Sequence, residues 1–83
     1  MRKVQQMRIL FDDLGRITFD PEIMQGQACI RGMRIPASLL VNLIAHGKTA
    51  AEIIEEYPAL EPEDITQALE YAALLARDEV LVK

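Results

Sequence analysis

Cys29-Ile30-Arg31-Gly32-Met33-Arg34-Ile35-Pro36-Ala37-Ser38-Leu39-Leu40-Val41-Asn42-Leu43-Ile44-Ala45-His46-Gly47 is the stretch in which the periodicity of this chain changes. Up to Ile35 it reads as two short extended pieces about Gly32. A glycine there can take the positive φ that a tight hairpin needs. From Ser38 onward the apolar residues recur every three to four positions: Leu39, Leu40, Leu43 and Ile44 form one stripe. Ser38 is a good N-cap, because its hydroxyl can accept from a free amide of the first turn. Gly47 ends the helix by accepting a left-handed conformation. The pattern predicts a first helix over 39–46.

Moving toward the C-terminus, Thr49-Ala50-Ala51-Glu52 is a capping box, with Ile53, Ile54 and Tyr57 continuing the apolar face. Pro58 ends that helix, since the residue before a proline avoids helical angles. A second helix is expected over 50–56. Pro62 suits the first position of a third, and Glu63 and Asp64 suit the positive end of its dipole. Ile65, Ala68, Leu69, Ala72, Leu75 and Ala76 share one face, which predicts a helix to about Arg77. Val80-Leu81-Val82 either lengthens it or adds a strand.

Toward the N-terminus, Ile17 and Phe19 alternate with Thr18 and Asp20, as in a short strand ended by Asp20-Pro21. Met7, Ile9 and Phe11 suggest an earlier strand. The expected architecture is mainly α: a homeodomain-like or winged helix-turn-helix three-helix bundle with a short N-terminal β element. Residues 1–15 form an arm or short strand, and residues 16–83 form the domain.

At 83 residues there is room for one domain with a small core. The single cysteine, Cys29, permits no intrachain disulfide, which fits a reducing compartment. No apolar run approaches the ~20 residues of a membrane span, and residues 1–10 lack a signal-peptide core. A cytoplasmic, non-membrane chain is expected. The net charge of −4 is unevenly spread: residues 1–48 hold seven Lys/Arg against four Asp/Glu, and residues 49–83 hold two against nine. Any contact with phosphate therefore falls to the N-terminal half.

The stretch from Arg16 to Ala72 resembles the bacterial domain-of-unknown-function family 433. The matching residues are Ile17, Asp20-Pro21, Gly26, Cys29-Ile30-Arg31-Gly32, Arg34-Ile35-Pro36, Gly47, Glu52-Ile53, Tyr57-Pro58, Leu60, Glu63-Asp64 and Ala68. The family often carries Gly, Lys and Pro near Gln25, Gln27 and Ala28, and Thr near Met33, so the chain departs from it beside the hairpin. The resemblance implies a homeodomain-like trihelical fold after a β element, and an antitoxin-like partner of a small PIN-like nuclease toxin.

The residues themselves point away from catalysis. His46 is the only histidine, and with Cys29 it makes no triad and no zinc site. Cys29 reads as a small buried hydrophobe, and His46 as a helix C-terminal residue suited to the dipole. No cofactor is implied. A helix-turn-helix would place the third helix in the major groove. Its expected solvent face, Thr66, Gln67, Glu70, Leu74, Arg77 and Asp78, is more acidic than basic, which disfavours that docking. Arg31, Arg34 and Arg16 form the better basic surface for contacting nucleic acid or a partner; the alternative is that Arg31 and Arg34 pair with the acidic helices and hold the β element on the bundle. Tyr71 at the edge of the core stripe and Leu74 opposite it, with Val80, Leu81 and Val82, form the candidate protein interface, for a homodimer or a nuclease toxin. Two functions follow: an antitoxin-like interaction module that occludes a nuclease, and a DNA-binding regulator of helix-turn-helix type.

Overall fold

The structure, a computed structural model, describes residues 14–82, with side chains through residue 77. Among these residues there are two strands, β1 (Ile17–Phe19) and β2 (Ala28–Ile30), and three helices, α1 (Ala37–Ala45), α2 (Ala50–Glu56) and α3 (Pro62–Val82). A 3-10 turn at Met24–Gly26 lies between the strands. The fold is mostly helical, with a small antiparallel sheet laid against the bundle. The strand expected around Met7 to Phe11 lies outside the described residues, as does most of the expected arm.

β1 and β2 pair with Ile17 opposite Ile30, Thr18 opposite Cys29 and Phe19 opposite Ala28. The ladder continues one step further, where the Arg31 N–H donates to the Arg16 carbonyl at 2.7 Å. The turn expected about Gly32 is present. Arg31 (φ 46°) and Gly32 (φ 72°) both lie in the left-handed region, as a type I′ turn requires. The Met33 N–H closes the turn on the Ile30 carbonyl at 2.8 Å. Thr18 pins it from the neighbouring strand, its hydroxyl accepting the Gly32 N–H at 2.9 Å and donating to the Cys29 carbonyl at 3.3 Å. Beyond the turn, the Ile30 N–H donates to the Ile35 carbonyl at 3.0 Å and Cys29 bridges Pro36.

That bridge corrects the expected start of α1. The helix begins at Ala37, with Pro36 as its N-cap in an extended conformation and no side-chain cap. Ser38 lies inside the first turn. The sheet holds Pro36 extended, so the chain turns helical immediately after it. Proline has no N–H to leave unsatisfied at a helix start. The other end of α1 follows the expectation. Gly47 takes φ 95°, its N–H donates to the Ile44 carbonyl, and the Lys48 N–H donates to the Leu43 carbonyl, both at 3.0 Å. This is a Schellman cap.

α2 is opened by the expected capping box: the Thr49 side chain accepts the Glu52 N–H, and the Glu52 carboxylate accepts the Thr49 N–H at 2.9 Å. α3 starts at Pro62 as expected and runs to Val82, so residues 80–82 lengthen the helix rather than add a strand. No helix among the described residues is long and apolar enough to cross a membrane. Leu40, Ile53, Leu60, Ile65 and Ala68 join Leu14, Ile17 and Ile30 in one core. α1 packs along α3, and the sheet covers the joint between them.

The inward face of α3 differs from the expected one. Leu74, expected opposite the core, is half-buried and packs against it. Gln67, also expected in water, is half-buried and accepts the Arg16 N–H at 2.9 Å. The sheet lies against a side of α3 that a pattern judged only by helix–helix packing assigns to solvent. Conversely, Leu75 is 44% exposed and Leu69 37%.

Replacing Thr49 by Ala is expected to lower stability by about 1 kcal/mol through loss of the cap. Ser38→Ala should change it by less than about 0.5 kcal/mol. Urea unfolding of the two variants checks both.

Candidate functional site: the arginine hairpin and the adjoining groove

Asp64 occupies the third position of α3 and is completely buried. A buried carboxylate is costly unless it is paired and hydrogen-bonded, and this one is both. The Arg31 Nε–H donates to Oδ1 at 3.0 Å and to Oδ2 at 3.3 Å, and Arg31 Nη2 donates to Oδ2 at 2.8 Å. Arg16 Nη1 donates to Oδ1 at 2.9 Å. The backbone N–H of Glu61, the residue before Pro62, donates to Oδ2 at 2.8 Å. Asp64 thus performs the carboxylate half of a capping box for α3 while neutralising two arginines.

The strand register explains why both arginines reach it. Continuing the pairing by one residue puts Arg16 directly opposite Arg31. Like charges in that position repel, and the shared carboxylate between them removes the conflict. Glu61 adds a second anion, accepting from Arg16 Nη1 at 2.7 Å. Arg31 Nη2 also donates to the Ala59 carbonyl at 2.7 Å, tying the α2–α3 connection to the hairpin. Burial pushes the Asp64 carboxyl up. The Arg31 guanidinium, the Glu61 N–H and Arg16 outweigh it and hold the group at about 2.

Three of the expected site residues therefore divide. Arg16 and Arg31 come together on Asp64 as structural groups. Arg34 stays exposed on the far side of the turn, with no ion pair among the described residues. It lines a shallow polar hollow with Pro21, Glu22, Met24, Gln25 and Gln27. Met24 (φ 52°) and Gln25 (φ 59°) beside it take left-handed conformations unusual for side-chain-bearing residues.

The expected protein interface also changes. Tyr71 and Leu74 are half-buried against the core, and the side chains of Val80, Leu81 and Val82 lie outside the described ones. An apolar surface that the sequence reading missed lies next to Tyr71. A groove of about 290 Å³ opens between α1 and α3, lined by Ser38, Val41, Asn42, Ala45, Tyr71, Ala72 and Leu75. Phe19, 51% exposed, meets the Tyr71 ring edge-on at 5.9 Å and extends the surface onto the sheet. Phe19 shares a face of β1 with buried Ile17, so the strand pattern carries no signal of its exposure.

Cys29 is buried, and burial pushes its thiol up, with Arg34 opposing. His46 caps the end of α1, its Nδ1 lying 2.7 Å from the Asn42 carbonyl. A carbonyl only accepts, so Nδ1 carries the proton there.

Residues 17–72 match the family model described as "Protein of unknown function (DUF433)". No curated protein matches the chain. Among solved structures, the crystal structure at 2.00 Å of a DUF433 member protein from Anabaena variabilis ATCC 29413 is similar, with 28% identity and a TM-score of 0.70 over 95% of this chain and 80% of that one.

A carboxyl held at about 2, against an ordinary 3.8, stabilises the folded state above pH ~4 and loses that contribution as pH falls through 2. The loss amounts to about 2 kcal/mol. Asp64→Asn is expected to remove this part of the acid dependence and to cost about 3 kcal/mol at neutral pH. Urea unfolding of both proteins between pH 2 and pH 7 checks it.

Proposed function

The chain belongs to the DUF433 family, and from that premise we propose that it is a non-catalytic, antitoxin-like module that binds and occludes a small PIN-like nuclease in the cytoplasm. The observation that carries this reading is the open groove between α1 and α3, continued by Phe19. Contiguous exposed apolar surface on a small domain marks an interaction site. Phe19, Tyr71 and Leu75 are the anchors, since aromatic and large aliphatic side chains dominate binding energy where water is excluded. Arg34 supplies the charge. As the hairpin arginine outside the Asp64 clamp, it is the basic group suited to the acidic metal site of a nuclease.

The DNA-binding alternative treats α2 and α3 as a homeodomain-like helix-turn-helix and the hairpin as a wing. Exposed Arg34 favours it. Against it, Arg16 and Arg31 are engaged by Asp64, and the exposed residues of α3 include Glu63 and Glu70. Phosphate attraction dominates DNA affinity, so a described surface that has two of its hairpin-side arginines engaged and acidic neighbours is poorly suited to it.

Co-expression with candidate small PIN-like nucleases tests the reading. The native chain should rescue growth, Leu75→Glu should abolish rescue, and Arg34→Glu should weaken it while both variants stay folded by circular dichroism. Rescue undiminished by Leu75→Glu would reject the groove as the contact. Binding that falls by orders of magnitude between low and moderate salt would favour the DNA reading instead.

A further inference from the structure

α3 has 21 residues, whereas α1 and α2 have 9 and 7. At 1.5 Å per residue α3 is ~31 Å long and α1 ~13 Å, so α1 covers less than half the length of α3. On one face of its middle, Leu69, Ala73 and Ala76 recur at intervals of four and three, the spacing of a helix–helix seam. All three are exposed. They lie roughly 120° around the helix from the residues that line the groove.

Glu70 and Arg77 flank this seam on one side, seven residues apart. Both are exposed, and neither has an ion pair among the described residues. Seven residues is too far for them to pair within one helix, where partners stand three or four apart. Two such helices laid antiparallel about an axis near Ala73 bring Glu70 of each copy beside Arg77 of the other. The pattern is complementary to itself, as a two-fold interface requires. A run of charges of one sign would repel its own image; this pair of opposite charges attracts it twice.

We propose that the Leu69–Ala73–Ala76 face of α3 is a self-association surface, pairing antiparallel with the same face of a second copy and fixed in register by two reciprocal Glu70–Arg77 ion pairs. Leu69 supplies the apolar anchor. Ala73 and Ala76 let the two backbones approach closely. The seam is short, at the small end of stable interfaces, so the assembly is a concentration-dependent dimer. Because the groove faces elsewhere, a dimer leaves both grooves open, and the surface is independent of the partner reading above.

Sedimentation velocity over a range of concentrations tests this. The native chain should pass from monomer to dimer. Glu70→Arg and Arg77→Glu, each of which turns two attractions into two repulsions, should each weaken dimerisation by roughly tenfold. The double variant Glu70→Arg/Arg77→Glu should restore it, because the swap recreates both pairs across the two-fold axis. Leu75→Glu, in the groove, should leave it unchanged. A chain that stays monomeric at every concentration overturns the proposal. So does a double variant no better than the single ones, or a dimer lost on Leu75→Glu. Unchanged circular dichroism in all variants ensures that the readout is association and not unfolding.

Discussion

A carboxylate sealed from water must be surrounded by donors, and the arrangement of this domain follows from meeting that demand at Asp64. The donors come from three places far apart in sequence: Arg16 before β1, Arg31 in the turn after β2, and the Glu61 backbone at the start of α3. Satisfying them together fixes the sheet on the N-terminal end of α3 in one orientation. It also accounts for Arg31 occupying a left-handed position that glycine or asparagine would take more readily. The turn needs positive φ, and the carboxylate needs a guanidinium. Thr18 and Gly32 hold the turn in place around that compromise.

This sorting of charges governs the functional reading. A basic hairpin suggests phosphate, and from composition alone Arg16, Arg31 and Arg34 look equivalent. In three dimensions two of them face inward onto one anion and one faces outward. Among the described residues, the hairpin therefore presents less positive surface than its three arginines suggest. What it presents instead is apolar: Phe19 on the sheet and the groove beside Tyr71 and Leu75.

Much of the fold was legible because local chemistry dictates it. Gly47, the Thr49–Glu52 box, Pro58 and Pro62 each act within a few residues of themselves, and each marks the boundary expected of it. β1 and the turn at Gly32 were legible for the same reason. What escaped the sequence depended on distant partners. Ser38 is a plausible cap that Pro36 displaces, because Pro36 is held extended by a bridge to Cys29. Leu74 packs against the core and Gln67 takes the Arg16 N–H beside the sheet, whose position no helical periodicity encodes. The strongest missed signal was Asp64. It lies four residues before Ala68 and next to Ile65, on the apolar stripe, yet its position in the first turn suggested a solvated charge. The alternative that Arg31 and Arg34 anchor the β element follows from the charge split, and the geometry at Asp64 matches it for Arg31 but not for Arg34, with Arg16 in the place expected of Arg34.

The account rests on Arg31 and Asp64 acting as one unit. A double-mutant cycle in urea unfolding, with Arg31→Met, Asp64→Asn and the two combined, tests that most directly. If the clamp organises the fold, each single change leaves a buried or half-buried polar group without its partner. The double variant should then lose clearly less stability than the sum of the two. Strict additivity would mean that the two groups do not depend on each other, and would contradict the central place given to the buried carboxylate.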